Sequence, residues 1–217
     1  MDADVISRGI APGTLGWKVV VFESTASTND VAAEYARNSS NHGLVVLADL
    51  QTKGRGRGGH RWLAGKGDSL LCSTVLTRCT FRPEQLSQTV ALAVAEVVGP
   101  KARIKWPNDV LLSGKKVAGI LVESKAYDGY TAYVVGIGIN CHQRAEDFPV
   151  EFRSTAISLD LATGTVVDRN VLARRLLTCM EYWLTVAREE ATLISKAWAG
   201  LCIQAGLQVA AAHKDQG

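Results

Sequence analysis

The feature that most constrains the fold is a series of short apolar, largely β-branched segments in residues 102–140, joined by tight turns. The segments VLL and VAGILVE flank Ser113-Gly114, a dipeptide typical of a hairpin loop. A second turn signal, YDG at 127–129, leads into YTAYVVGIGIN, and the preceding segment RIKW ends at Pro107. Neighbouring strands joined by hairpins are antiparallel, whereas parallel strands need a long crossover. The chain is therefore predicted to be α+β, with a mixed, mainly antiparallel sheet flanked by helices.

The rest of the chain supplies further strands and three helices. Strands are predicted at 18–22, 43–50, 69–77 and, near the C-terminus, in GLQVAA at 206–211. One helix follows Ser27 or Thr28, either of which could cap it. A second starts at Pro83 and stops at Gly99-Pro100, and a third is capped by Asp168.

Composition excludes several classes of protein. The chain has 217 residues, of which 47% are apolar and 21% charged, as expected for one globular domain, alone or with a small appendage. Its five cysteines are odd in number and contain no C-x-x-C, so a disulfide framework or structural zinc site is not expected. We find no secretory signal and no apolar run of about 18 residues. The sequence therefore predicts a cytoplasmic protein without a membrane segment.

Positive charge is concentrated in one glycine-rich loop. Five cations and no carboxylates lie between residues 50 and 67, although the whole chain has a net charge of only +3. The core of the loop reads QTKGRGRGGHRW at 51–62. Focused charge of this kind indicates an anionic ligand at one place.

Four interpretations of this loop are open. Gly54, Gly56 and Gly59 fit the dinucleotide motif G-x-G-x-x-G, but that motif must open a helix, and the glycines at 65 and 67 oppose one. Arg57-Gly58-Gly59 could be an RNA-binding element, although such elements are usually repeated. Glycine N–H groups and arginine side chains could instead bind phosphate and carboxylate groups. The loop could also be an ordinary solvated surface loop.

Five motifs, taken in order, resemble those of the biotin protein ligases. They are S-T-N at 27–29, Q-x-x-G-R-G-R-x-G-x-x-W at 51–62, K-W-P-N-D at 105–109, K-V-A-G-I-L-V-E at 116–123 and G-I-G-I-N at 136–140. The resemblance covers residues 20 to 180. It implies a catalytic domain like that of class II aminoacyl-tRNA synthetases, which agrees with the antiparallel sheet predicted from the hairpins.

The resemblance implies a reaction in two steps. Biotin's carboxylate attacks the α-phosphate of ATP, forming biotinyl-5′-AMP and pyrophosphate, and a lysine of a biotin carboxyl carrier protein then takes the biotinyl group. Neither step needs a protein nucleophile, so catalysis would come from positioning and charge stabilisation. Mg²⁺ is the expected metal, with Asp109 as its candidate ligand; a simple turn role for Asp109 is the alternative.

The resemblance also assigns site residues. Catalytic roles fall on Lys116 and Arg57. The residues implied for biotin are Ser27, Thr28, Asn29, Gln51, Arg55, Gly56, Arg57, Lys116, Gly136 and Gly138. The residues implied for ATP are Arg55, Arg57, Trp62, Lys116 and Asn140. Trp62 could stack on the nucleotide or anchor the loop in the core.

Strand periodicity places Lys116 on one face with Ala118, Ile120 and Val122. A lysine directed inward from that position would bridge the biotin carboxylate and the α-phosphate. The adjacent Lys115 would then point outward.

The sequence departs from the family pattern in two places. His60 stands where the family usually has arginine, so one loop contact is expected to be absent or pH-dependent. The family's C-terminal β-barrel is expected to be reduced or missing, with a catalytic domain at 1–190 and an extension at 191–217. We see no N-terminal DNA-binding module, which predicts a monofunctional enzyme without nucleic-acid or membrane partners.

Two rival functions remain, a lipoate or octanoate protein ligase of the same fold and a non-catalytic nucleic-acid-binding protein. Family members are often homodimers, but no feature of this sequence requires one.

Overall fold

The computed structural model describes residues 1–11 and 14–204. Its centre is a seven-stranded sheet with the order β1-β2-β3-β7-β6-β5-β4. The strands are β1 (Val19–Phe22), β2 (Val45–Ala48), β3 (Ser69–Leu76), β4 (Ala102–Lys105), β5 (Asp109–Leu112), β6 (Lys115–Tyr127) and β7 (Tyr130–Asn140). The helices are α1 (Ala3–Ser7), α2 (Thr28–Tyr35), α3 (Pro83–Val98), α4 (Leu159–Thr163), α5 (Arg169–Glu189) and α6 (Ala191–Leu201).

The sheet is mixed and mainly antiparallel, which confirms the predicted fold class. Among the seven strands of the described residues, only β1 and β2 pair in parallel, and α2 connects them. The β5–β6 hairpin turns at Ser113 and Gly114, whose φ angles are both positive, at 53° and 78°. Such angles match the twist of the flanking strands in a two-residue hairpin. The predicted turn at 127–129 joins β6 to β7, and Gly129 adopts a φ of 79°.

The main hydrophobic core lies between the sheet and helices α3 and α5. Helix α2 packs on the opposite face of the sheet, so strand β3 is covered on both sides and every one of its residues is buried. A strand buried on both faces tolerates a polar side chain only where a partner is available. The polar positions of β3 therefore mark places to look for a site.

The longer helices begin where the sequence predicts. Helix α3 starts at Pro83 and is followed by Gly99, and α5 is capped by the Asp168 carboxylate, which accepts hydrogen bonds from the N–H groups of residues 170 and 171. In the described part of the chain, no helix is long and apolar enough to cross a membrane.

The C-terminal extension predicted from residue 191 begins as helix α6, which packs against α5, α3 and β4. The strand predicted at 206–211 lies outside the described residues. The division of the chain at residue 190 stays a prediction.

Candidate active site

The described structure contains a cavity of about 410 Å³ on the α2 side of the sheet. The start of α2, the loop at 51–62, strands β5, β6 and β7, and a loop at 148–156 enclose it. All site residues predicted from the sequence line this cavity: Ser27, Thr28, Asn29, Gln51, Arg55, Gly56, Arg57, Trp62, Asp109, Lys116, Gly136, Gly138 and Asn140. Five motifs spread over 114 residues of sequence therefore meet in one place.

One end of the cavity, here called the closed end, is lined by Ser27, Thr28, Asn29 and Gln51. Ser73 of β3 does not line the cavity but contacts Thr28 and Asn29, and we count it with the closed end. Gln51 Oε1 accepts from the Thr28 N–H at 2.7 Å and contacts the Thr28 hydroxyl at 3.0 Å. Ser73 Oγ lies 2.7 Å from Thr28 Oγ1 and 2.6 Å from Asn29 Oδ1. Thr28, Asn29 and Ser73 are at most 4% exposed. The closed end is a buried, neutral hydrogen-bonding network.

Ser73 was missing from the sequence prediction. It lies in the middle of strand β3 next to Thr74, where periodicity alone shows nothing unusual. Its complete burial distinguishes it, and that burial is visible in the folded sheet and not in the sequence.

Ser27 occupies the N-cap position of α2, but its side chain makes no capping hydrogen bond. Its hydroxyl makes no hydrogen bond within the described residues and lines the cavity. Because the helix does not use it, this hydroxyl is available to a ligand.

Arg55 is held by two carboxylates. Its Nη2 lies 2.7 Å from Asp30 Oδ1 and 3.1 Å from Glu123 Oε2, and its Nε donates to Glu123 Oε1 at 3.2 Å. These hydrogen bonds, the one to Asp30 first, raise the pKa of Arg55. Most of its charge is therefore balanced by the protein, and its predicted role on the ligand phosphate stays a prediction.

The glycine-rich loop has a held stem and an exposed tip. Its two arms pair through Gly56 N–H to His60 C=O at 2.7 Å and Trp62 N–H to Gly54 C=O at 3.0 Å. Residues 57–60 at the tip are exposed, and Gly58 and Gly59 have φ angles of 62° and 80°. Arg57 makes no ion pair with the described residues. It is therefore a cation that a ligand could engage.

Trp62 lies flat on two glycines of the sheet. Gly119 and Gly138 are cross-strand partners, and a Cβ would stand 3.1 Å and 2.6 Å, respectively, from the Trp62 ring. Both predicted roles of Trp62 are compatible with this position, since it anchors the loop and also lines the cavity. Gly136 has a similar function, because a Cβ there would collide with the Asn29 amide.

Lys116 reaches the cavity by a route that the sequence did not predict. A β-bulge between β5 and β6 inserts Val117 as an extra residue. Lys116 consequently lies over Gly119, with its Nζ 3.4 Å from where a Cβ on that glycine would stand. The prediction that Lys116 shares a strand face with Ala118, Ile120 and Val122 is therefore wrong. A bulge reverses the alternation of faces, and periodicity cannot reveal it.

The other end of the cavity, here called the open end, contains Arg57, His60, Arg61, Asp109 and Lys116. Lys116 Nζ pairs with Asp109 Oδ1 at 2.7 Å, and the lysine side chain is 39% exposed. Among the described residues that line the cavity, Asp109 is the only carboxylate.

A loop that the sequence did not assign borders the open end. Phe148 and Phe152 line the cavity. The backbone of the loop follows β6, because Lys116 N–H donates to Thr155 C=O at 2.7 Å and Ile157 N–H donates to Lys116 C=O at 2.9 Å. This loop adds an apolar wall beside the cations.

Comparison with known proteins agrees with this geometry. The sequence model of the biotin/lipoate A/B protein ligase family matches residues 21–140. The chain belongs to this family. The match begins in β1 and ends with β7, so it contains every strand that contributes to the cavity.

Individual relatives within the biotin/lipoate ligase family are similar over most of this chain. The bifunctional ligase/repressor BirA of Bacillus subtilis is 36% identical over 81% of this chain and 56% of its own length. The biotin--[acetyl-CoA-carboxylase] ligase of Mycobacterium tuberculosis is 37% identical over 76% of this chain and 64% of its own. This chain thus spans a little over half the length of the first of these curated relatives.

Among solved structures, the biotin protein ligase from Aquifex aeolicus in complex with biotin and ATP superposes with a TM-score of 0.75 at 29% identity. The match covers 86% of this chain and 78% of that chain. The shared fold is therefore that of the family's catalytic domain.

No group of three or more metal-binding side chains occurs within residues 1–11 and 14–204. The cavity supplies one carboxylate, Asp109, which is already paired with Lys116. This arrangement fits an ion that arrives bound to a ligand's phosphates and gains one protein oxygen. It does not fit a site that holds a metal by protein ligands alone.

Proposed function

We propose that the chain is an ATP-dependent biotin protein ligase, which forms biotinyl-5′-AMP and transfers the biotinyl group to a lysine of a biotin carboxyl carrier protein. The observation that carries the proposal is the division of one cavity into a neutral, hydrogen-bonding closed end and a cationic open end. Biotin has the same division, with a neutral ureido ring at one end and a carboxylate at the other.

The closed end favours biotin over lipoate or octanoate. The ureido group offers two N–H donors and a carbonyl acceptor to the hydroxyl and amide groups of Ser27, Thr28, Asn29 and Gln51. The ring of lipoate and the alkyl end of octanoate have no such groups. A site built to hydrogen-bond a ligand rejects an analogue that leaves its buried polar groups unpaired.

The open end would hold the reacting anions. A carboxylate oxygen of biotin attacks the α-phosphorus, and the bond to the bridging oxygen breaks with release of pyrophosphate. Lys116 and Arg57 would bring the two anions together and balance the negative charge on phosphorus. In the second step a deprotonated lysine of the carrier attacks the acyl carbon, and AMP leaves with the electron pair.

The nucleotide would occupy the open end beside Asn140. Phe148 and Phe152 provide an apolar wall for the adenine, and Trp62 borders the same space. Mg²⁺ would enter on the phosphates of ATP, where it neutralises charge, and Asp109 is the residue that would contact it. Lys116 would then exchange its ion pair with Asp109 for the ligand's anions.

The enzyme would act in the cytoplasm and without nucleic acid as a partner. All five cysteines are free thiols, which supports a reducing compartment such as the cytoplasm. Residues 1–190 would form the catalytic domain. A nucleic-acid-binding role is less well supported, because Arg55 is paired with carboxylates and Arg57 and Arg61 border a concave cavity.

Exchange of labelled pyrophosphate into ATP tests the proposal. The protein should support exchange with biotin and none with lipoate or octanoate. Exchange that depends on lipoate or octanoate would indicate the rival ligase activity. Absence of exchange with all three acids would exclude ligase activity. For the transfer step, biotinylation of a carrier domain is compared with that of the same domain with its acceptor lysine replaced by arginine.

A further inference from the structure

Glu123 lies in β6 just outside the cavity and contacts two of the residues that line it. Its Oε2 accepts from Asn29 Nδ2 at 2.7 Å and from Arg55 Nη2 at 3.1 Å, and its Oε1 accepts from Arg55 Nε at 3.2 Å. Its side chain is 26% exposed. One carboxylate therefore joins α2, β6 and the stem of the glycine-rich loop.

The contact with Glu123 fixes which way the Asn29 amide points. An ionised carboxylate has no proton to give, so only the NH₂ group of Asn29 can face it. The amide oxygen must then face Ser73, and the 2.6 Å contact requires the Ser73 hydroxyl to donate its proton.

The Asn29 amide is joined to the rest of the closed end through Ser73. The Ser73 hydroxyl donates to Asn29 Oδ1, and its oxygen also lies 2.7 Å from Thr28 Oγ1. Gln51 Oε1 accepts from the Thr28 N–H at 2.7 Å and from the Thr28 hydroxyl at 3.0 Å. A single carboxylate outside the cavity thus fixes the amide through which Asn29 joins this network.

We propose that Glu123 is a positioning residue, which fixes the amide of Asn29 at the closed end and, through Arg55, ties the loop stem to the same point. The inference rests on the proposed function and extends it to a residue that does not touch the substrate. Asp30 has the second of these tasks only, because it contacts Arg55 at 2.7 Å and makes no hydrogen bond to Asn29.

In Glu123→Gln, the new amide can present a donor to Asn29, and the Asn29 amide loses its single preferred orientation. Affinity for biotin should fall about 10- to 100-fold, as expected when a charged partner of a buried network is lost. Asp30→Asn should weaken binding less than about 5-fold, because its ion pair is more exposed. The turnover rate of pyrophosphate exchange at saturating biotin should change less than about 3-fold in both variants, since neither residue borders Lys116.

The experiment is a double-mutant cycle between Glu123→Gln and Asn29→Ala, with biotin affinity measured by calorimetry without ATP and exchange kinetics measured alongside. If Glu123 acts through Asn29, its substitution adds little once Asn29 is gone. Glu84→Gln, the same chemical change at an exposed site on α3, is the matched control. Glu123→Asp provides a second variant if the glutamine variant does not fold.

Three results would overturn the inference. Additive effects of Glu123→Gln and Asn29→Ala, or a loss of turnover without a rise in KM for biotin, would show that Glu123 does not position Asn29. Absence of biotin binding by the unsubstituted protein would remove the proposed function, and this inference with it. Either of the first two results leaves the ligase function intact, so failure of the inference and failure of the proposed function are distinguishable.

Discussion

The two ends of the cavity differ in almost every physical property. Ser27, Thr28 and Asn29 at the closed end are 3–4% exposed, and hydrogen bonds within the protein hold the network around them. At the open end, the Lys116 side chain is 39% exposed, and Arg57 is exposed on the tip of a loop. In the proposed ligase, the closed end would select the acid and the open end would accelerate the reaction.

The substitution Lys116→Ala, at the open end, should have the largest effect on activity. Exchange should fall about 10²- to 10³-fold, because a charge aimed at the developing anion is lost. The thermal unfolding midpoint should change little, since the side chain is partly exposed. The neighbouring Lys115→Ala is the matched control and should retain full exchange activity. Near-normal exchange by Lys116→Ala would exclude it as a catalytic group.

The closed end should respond differently, and Ser73→Ala tests it. The substitution leaves Asn29 Oδ1 buried without its donor, so KM for biotin should rise about 10- to 100-fold while the rate at saturating biotin is nearly retained. Steady-state exchange kinetics at varied biotin measure both constants. A fall in rate with unchanged KM would contradict the division between the two ends.

The Trp62 ring, which packs on Gly119 and Gly138, lies between the two ends. Gly138→Ala places a methyl group about where the ring lies, so the free energy of unfolding should fall by about 1–3 kcal/mol. The KM values for biotin and ATP should rise together. Gly200→Ala in α6, where no atom beyond the adjacent residues and the helix's own backbone lies within 4 Å of the added methyl, should be neutral or stabilising. Chemical denaturation gives the free energy of unfolding of both variants. Equal changes would show that Gly138 is not needed for the packing of Trp62.

The smallest predicted effect concerns His42, which lies outside the cavity. Its protonation should lower stability in acid without acting on the site directly. Burial, followed by the charge of Arg78, lowers the pKa of His42, whose Nδ1 accepts from the N–H groups of residues 77 and 78. The unfolded chain therefore binds the proton more readily, and stability is lost as pH falls below the ordinary histidine pKa of about 6.5. Because His42 is only half-buried, the loss should be no more than about 1 kcal/mol. His42→Gln should flatten this part of the stability profile; an unchanged slope would assign the effect elsewhere.

Sequence reasoning predicted the local features well. Hairpin turns and helix caps depend on a few adjacent residues, so both hairpins and the starts of α3 and α5 were predictable. The motifs located the cavity because each contributes side chains to it. The family-specific roles of those side chains stay predictions.

Interactions between distant residues were not predictable. Arg55 carries a positive charge in the sequence, but its partners Asp30 and Glu123 come from other elements, and they decide how much of that charge is available. Ser73 is one of three small polar residues in β3, and its contacts with α2 become visible only once the strand is placed beneath that helix. The bulge at Val117 depends on pairing with β5, so no pattern within β6 could indicate it.

The exposed tip of the glycine-rich loop has a consequence for protein engineering. Trypsin should cut after Arg57 or Arg61, because short, exposed, glycine-containing tips are readily proteolysed. Such a cut places β1, α2 and β2 on one fragment and β3 on the other. The two fragments would remain joined by the antiparallel ladder between β2 and β3 and by the packing of α2. The tip is thus a natural point at which to divide the protein into two complementing halves, whose reassembly would restore the cavity.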